Sequence, residues 1–121
     1  MSSSTRDPNF LIRPATVEDT PLILTFIKEL AEYEKLLHEV VATEASLKES
    51  LFGETHHAKV VIGEYQGKPV SFALYFHNFS TFLGRPGIYL EDLYVRPNMR
   101  GKGLGKILLG YLASLAIELN C

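Results

Sequence analysis

The stretch that most limits the fold of this chain runs from 88 to 119, where a strand pattern, a glycine-rich turn and a helix pattern follow one another directly. "IYLEDLYV" (88–95) is rich in the apolar and aromatic residues that pleated, packed strands favour. Pro97 marks its end, because proline has no N–H to continue a ladder. From about Gly103 to Leu119, the residues Leu104, Ile107, Leu108, Tyr111, Leu112, Leu115, Ala116 and Leu119 fall on one side of a helix. Such a helix has to bury its stripe against another element of the fold.

"FLIRPA" (10–15) reads as a first strand. "AKVVIGEYQGKPVSFALYFHNF" reads as two strands around a "QGKP" turn, and "STFLGRPG" as the loop to the strand at 88–95. "TVED" (16–19) has the form of a capping box, with Thr16 as N-cap and Asp19 in place of the usual Glu or Gln. A helix follows, striped by Leu22, Ile23, Phe26, Ile27, Leu30 and Ala31, and Thr43 opens a shorter one through Leu47 and Leu51. The expected class is α/β (α+β), a mixed, mostly antiparallel sheet flanked by helices. The 121 residues suffice for one core, and no repeat or linker divides them. Residues 1–9 are expected to be a disordered tail ahead of a single domain over 10–121.

A net charge of −2 gives no general attraction to nucleic acid or to an anionic membrane, but suits an acidic site for a cationic substrate. The most apolar run, "ILLGYLASLAI", is too short to span a bilayer. Cys121 has no internal disulfide partner and no basic, apolar leader opens the chain, so a soluble cytoplasmic protein is expected. His56 and His57 lack further ligands at workable spacing, so no metal site is expected.

The turn "RPNMRGKGLGK" (96–106) carries Gly101, Gly103 and Gly105, which let the backbone come close to a ligand. Free N–H groups and the positive dipole end make a helix start an anion site, and Arg100, Lys102 and Lys106 surround it with cations. A phosphate-binding P-loop would need Ser or Thr after its Gly-Lys, where Ile107 stands. A dinucleotide fingerprint counted from Gly101 would need glycine where Lys106 stands. Just upstream, Glu91 and Asp92 interrupt an apolar strand on both of its faces. Buried carboxylates demand a partner or a shifted pKa, so the two are either a structural pair satisfied by backbone or arginine, or working acids.

The string R-x-x-G-x-G (Arg100, Gly103, Gly105), after a strand and opening a helix, resembles the acetyl-CoA signature of the GNAT N-acetyltransferases. "IRPAT", "ELAEYEKL" and "YLEDLYV" are together similar to the diamine (spermidine/spermine) and thialysine branch of that family, over about Leu11 to Cys121. The resemblance implies that Leu93, Tyr94 and Val95 hold pantetheine through their backbone. It implies too that Arg100, Gly101, Lys102, Gly103, Leu104, Gly105 and Lys106 hold the pyrophosphate of acetyl-CoA. Tyr33 and Glu34 would contribute to the amine pocket, and Glu91 and Asp92 to an acidic wall beside the acetyl group. Glu91, desolvated among apolar neighbours, would take the amine proton, while Asp92 would reach the other face unless a bulge redirected it. A strand amide near Leu93 would help the oxyanion. Tyr89 and Tyr94, flanking the acids, are read as core packing.

The implied activity is direct transfer of acetyl from acetyl-CoA to a small primary amine, by a homodimer. A non-catalytic CoA-binding module and a protein-amine acetyltransferase remain the alternatives. The family continues past this helix with another strand, a helix and a closing strand. The chain is therefore expected to be the N-terminal portion of one domain, with the tyrosine general acid beyond Cys121, and turnover by these 121 residues alone stays open.

Overall fold

The computed structural model describes residues 7–121. Most of the expected tail, residues 1–6, lies outside them. Asp7–Asn9 form a turn in which the Phe10 N–H donates to the Asp7 carbonyl at 3.0 Å and the Asn9 N–H to the Asp7 carboxylate at 2.9 Å.

Four strands, β1 (Phe10–Pro14), β2 (Lys59–Tyr65), β3 (Lys68–Ser80) and β4 (Arg85–Val95), form one antiparallel meander in the order β1-β2-β3-β4. The β2–β3 hairpin closes through Gln66 and Gly67, both at positive φ (51° and 82°), as tight two-residue hairpin turns require. The expected loop at "STFLGRPG" is shorter than its Gly and Pro content suggests. Ser80 pairs with Arg85, Phe79 with Pro86 and Asn78 with Gly87, leaving 81–84 as the tip. β4 is an edge strand of this sheet, where a proline is tolerated.

Three helices cover the two faces: α1 (Thr20–Tyr33), α2 (Glu44–Phe52) and α3 (Leu104–Glu118). Val60, Ile62, Phe72 and Tyr94 pack with Ile23 and Phe26 of α1 and Leu51 of α2. Phe10, Ile12, Val61, Ala73 and Tyr75 pack on the other face with Leu104, Leu108 and Leu112 of α3. Inside the first layer Phe26 stacks on Phe72 at 5.5 Å and meets the edge of Tyr94 at 6.1 Å, a geometry that adds to plain burial.

The helix ends follow local chemistry. The Thr16 N–H donates to the Asp19 carboxylate at 2.7 Å, the reach-back half of the expected capping box, although a short 3₁₀ turn (Val17–Asp19) precedes α1. The same carboxylate takes two bonds from Arg13 of β1, at 2.7 and 2.9 Å, so its pKa lies below the usual carboxylate range. At the far end of α1, Lys35 adopts φ 61°, and the N–H groups of Leu36 and Lys35 donate to the carbonyls of Ala31 (2.7 Å) and Glu32 (3.0 Å). That is the two-bond helix stop usually built on glycine, and it places Tyr33 as the last helical residue and Glu34 as the cap.

Candidate functional site

A cavity of about 440 Å³ opens between the end of α1, the last residues of β4 and the start of α3. Leu30, Tyr33 and Glu34 line it from α1, and Leu93, Tyr94 and Val95 from β4. Arg100, Gly101, Gly103, Leu104 and Gly105 complete it from the turn and α3. The structure therefore brings together most of the residues singled out in the sequence. Lys102, Lys106, Glu91 and Asp92 stand outside this lining.

The turn side is defined by main chain. A short 3₁₀ turn (Pro97–Met99) leads from β4 to Gly101 at φ 88° and Gly103 at φ 76°. Both values lie where side-chain-bearing residues are strained. Gly103 is the N-cap of α3, so no side chain covers the first-turn amides, and the positive dipole end faces the cavity rim. Arg100 spans the opening. Its guanidinium lies 4.4 Å from the Tyr33 ring centre and 5.7 Å from that of Tyr94, and its Nε donates to the Val95 carbonyl at 2.9 Å. Lys102 turns away, its ammonium 5.4 Å from the Tyr65 ring.

The acid side depends on an irregularity that the sequence reading allowed without locating. Leu74 pairs with Asp92 but Tyr75 pairs with Leu90, so Glu91 is the extra residue of a β-bulge. The bulge shifts the alternation: Leu90 and Leu93, three apart, both pack on the α3 side, while Asp92 and Tyr94 share the α1 side. Glu91 is exposed, which corrects the expectation of a carboxylate desolvated among apolar neighbours. Asp92 is the half-buried one. Its pKa is raised above the usual carboxylate value by burial, and further by the charges of Glu91 and Glu34.

The coupling to Glu34 puts the end of α1 and the bulged strand in one electrostatic neighbourhood. Glu34 itself is exposed at the cap of α1. Among the described residues, neither Glu91 nor Asp92 accepts a hydrogen bond or ion pair, so the structural-pair reading of the acids finds no partner. Unmatched neighbouring carboxylates repel, and a cationic ligand relieves that repulsion. Tyr94 is core, as expected; Tyr89 is half exposed and stacks on Phe76 at 4.9 Å, beyond the cover of the helices.

Sequence reasoning missed Glu29 and Arg96. Arg96 donates to Glu29 through Nε at 3.0 Å and Nη2 at 2.9 Å, and to the Pro69 carbonyl through Nη1 at 3.2 Å. The Tyr94 hydroxyl donates to the same Glu29 carboxylate at 3.1 Å. Burial, with that bond to Glu29, holds the Tyr94 hydroxyl's pKa above its usual value. Nothing in the spacing pairs residues that lie 67 positions apart. Among the described residues no group of three or more His, Cys, Asp or Glu could hold a metal ion, and no helix is long and apolar enough to cross a membrane.

The sequence model of the acetyltransferase (GNAT) family matches residues 25–121. Thialysine N-epsilon-acetyltransferase of Bos taurus is 39% identical over 119 residues, which cover 92% of this chain and 69% of that protein. Spermidine/spermine N(1)-acetyltransferase-like protein 1 of Homo sapiens is 37% identical over 93% of this chain, but over only 17% of its own length. The solved structure of an integron cassette protein from the mobile metagenome of V. cholerae superimposes with a TM-score of 0.73 at 30% identity, covering 95% of this chain and 72% of that one.

Proposed function

The chain belongs to the acetyltransferase (GNAT) family, as an N-acetyltransferase of its diamine and thialysine branch, and from that premise we propose that it carries acetyl from acetyl-CoA directly to a small primary amine. The observation that carries this reading is one cavity with two unlike ends: open helix amides and glycines on one side, the Glu34 end of α1 on the other. Acetyl-CoA is the donor in this reading. Its pyrophosphate lies on the amides from Arg100 to Lys106, and its pantetheine along Leu93–Val95. The acceptor is a polyamine, a diamine or a thialysine-like amine, drawn by Glu34, Glu91 and Asp92. The names of the bovine and human relatives support that substrate class.

An ammonium has no lone pair, so it must lose a proton before its nitrogen can attack the thioester carbonyl. Glu91 takes that proton, directly or through water, as its place on the exposed bulge allows. The nitrogen–carbon bond forms, the oxyanion collapses, the carbon–sulfur bond breaks, and the second proton shed by the nitrogen balances the one the leaving thiolate takes up through solvent. Tyr33 packs beside the acceptor. A second reading assigns the proton to Asp92, favoured by its raised pKa. A homodimer, a cytoplasmic location, and residues 10–121 as the N-terminal portion of one domain belong to the same proposal.

The test is to mix the protein with acetyl-CoA and a panel of polyamines, diamines, thialysine and peptide amines, and to follow CoA release. Turnover confined to the small amines is expected. Turnover on peptide amines alone would assign the site to protein substrates, and saturable acetyl-CoA binding without turnover would favour a binding module.

A further inference from the structure

Tyr33 and Glu34 lie at the last turn of α1, and Tyr33 is 63% exposed, so the core alone does little to hold this end of the cleft. One turn earlier, Glu29 meets Arg96, the residue directly after β4 and four before Arg100. The Arg96 backbone N–H is fixed by the Val70 carbonyl at 2.9 Å, and its guanidinium lies 4.8 Å from the centre of the Phe26 ring. A two-pronged guanidinium–carboxylate pair holds orientation as well as distance. Tyr94, which lines the cavity, is tied to the same carboxylate through its hydroxyl.

We propose that Glu29 and Arg96 are a positioning pair that sets the separation between the amine-holding end of α1 and the donor-holding turn after β4, and so the length of amine the cleft accepts. The inference rests on the proposed amine site. Neither residue touches the reacting atoms. Arg96 fixes α1 against the strand end, while Arg100, one loop further on, completes the bridge by stacking on Tyr33. Without the pair, the last turn of α1 is free to swing and the spacing of the two ends is no longer defined.

The experiment compares the unsubstituted protein with Arg96→Met and Glu29→Gln. Arg96→Met keeps an apolar body over Phe26, and Glu29→Gln keeps an oxygen for Tyr94 while removing the charge. Two readouts are taken: the ratio of kcat/KM for a short diamine to that for a long polyamine, and hydrogen exchange of the amides at 30–36 against those of β2. The expected result is a loss of about tenfold to a hundredfold in kcat/KM for the preferred amine, a length ratio moved towards unity, and faster exchange at 30–36 with β2 unchanged. Simple loss of folded protein lowers kcat for every amine equally and leaves the ratio alone. An unchanged length ratio, or exchange at 30–36 no faster than in the unsubstituted protein, overturns the inference. If the unsubstituted protein acetylates none of the amines, the amine reading fails by itself, and the exchange comparison still decides whether the pair holds the helix end.

Discussion

The glycine turn at 101–105 and the acids at 91–92 flank the same end of β4, yet their geometry is held by different means. On the turn side the chemistry is main chain: two glycines at positive φ and a helix start with no capping side chain. On the acid side it is side chain, and its layout depends on one bulged residue and on the approach of α1. A main-chain site is broken by restricting the backbone and tolerates altered side chains. A side-chain site is silenced by exchanging a single carboxylate while the backbone stays as it was.

The largest expected effect comes from Glu91→Gln, which retains shape and removes the proposed proton acceptor. It should lower kcat by about 10²–10⁴-fold with acetyl-CoA affinity unchanged in calorimetry. Full turnover across the pH range would pass the role to Asp92, whose Asn variant should then carry the loss.

Gly103→Val reverses the pattern. A β-branched residue at φ 76° costs about 1–2 kcal/mol, visible in denaturant unfolding, and should weaken acetyl-CoA binding while leaving the acids in place. Gly105→Ala sharpens the contrast, because an added Cβ would meet Leu93 and Val95 at an ordinary 3.9 Å. Gly105 is not at positive φ and stands in the first turn of α3, so the exchange adds no backbone strain and any loss of donor affinity would report on the cavity and not on folding.

The smallest effect concerns Asp92. Its folded pKa is raised, so between the unfolded value near 3.8 and the folded one the native state holds more protons than the unfolded. Stability therefore falls as pH rises through that window, and the penalty stays in place above it. Asp92→Asn should raise the melting temperature slightly at neutral pH and leave it unchanged in strong acid, while lowering amine turnover. Asp19 has the opposite sign: Arg13 lowers its pKa, so its contribution is present above the unfolded value and is lost as pH falls through the folded one.

The same division explains what could be read from the residues in order. The strand, turn and helix from 88 to 119 were legible because glycine spacing and apolar periodicity act locally. Most of the cavity lining followed from them. The hairpin turn between β2 and β3 was legible at "QGKP" for the same reason, although Lys68 and Pro69 belong to β3 and only Gln66 and Gly67 form the turn. The exposure of Glu91 was not, since strict alternation would have put it with Leu93. The hint was there in Leu90 and Leu93, apolar residues three apart around two acids. Tyr89 was read as core because periodicity says nothing of where the covering helices end. The stop of α1 carries no glycine signal, since Lys35 stands where such stops usually have glycine. Glu29 and Arg96 meet only after the sheet has formed, so no local pattern could join them.

The central claim is that the donor is held by main chain and the acceptor by carboxylates, and amide chemical shifts read this most directly. Titrating acetyl-CoA into the isotope-labelled protein should move the amides of 93–95 and 101–106, and move them equally in Glu91→Gln. A following titration with a polyamine should shift the carboxyl carbons of Glu34, Glu91 and Asp92. Saturable acetyl-CoA binding that leaves the 101–106 amides unmoved, or amine binding that leaves those three carboxylates unmoved, would contradict the account.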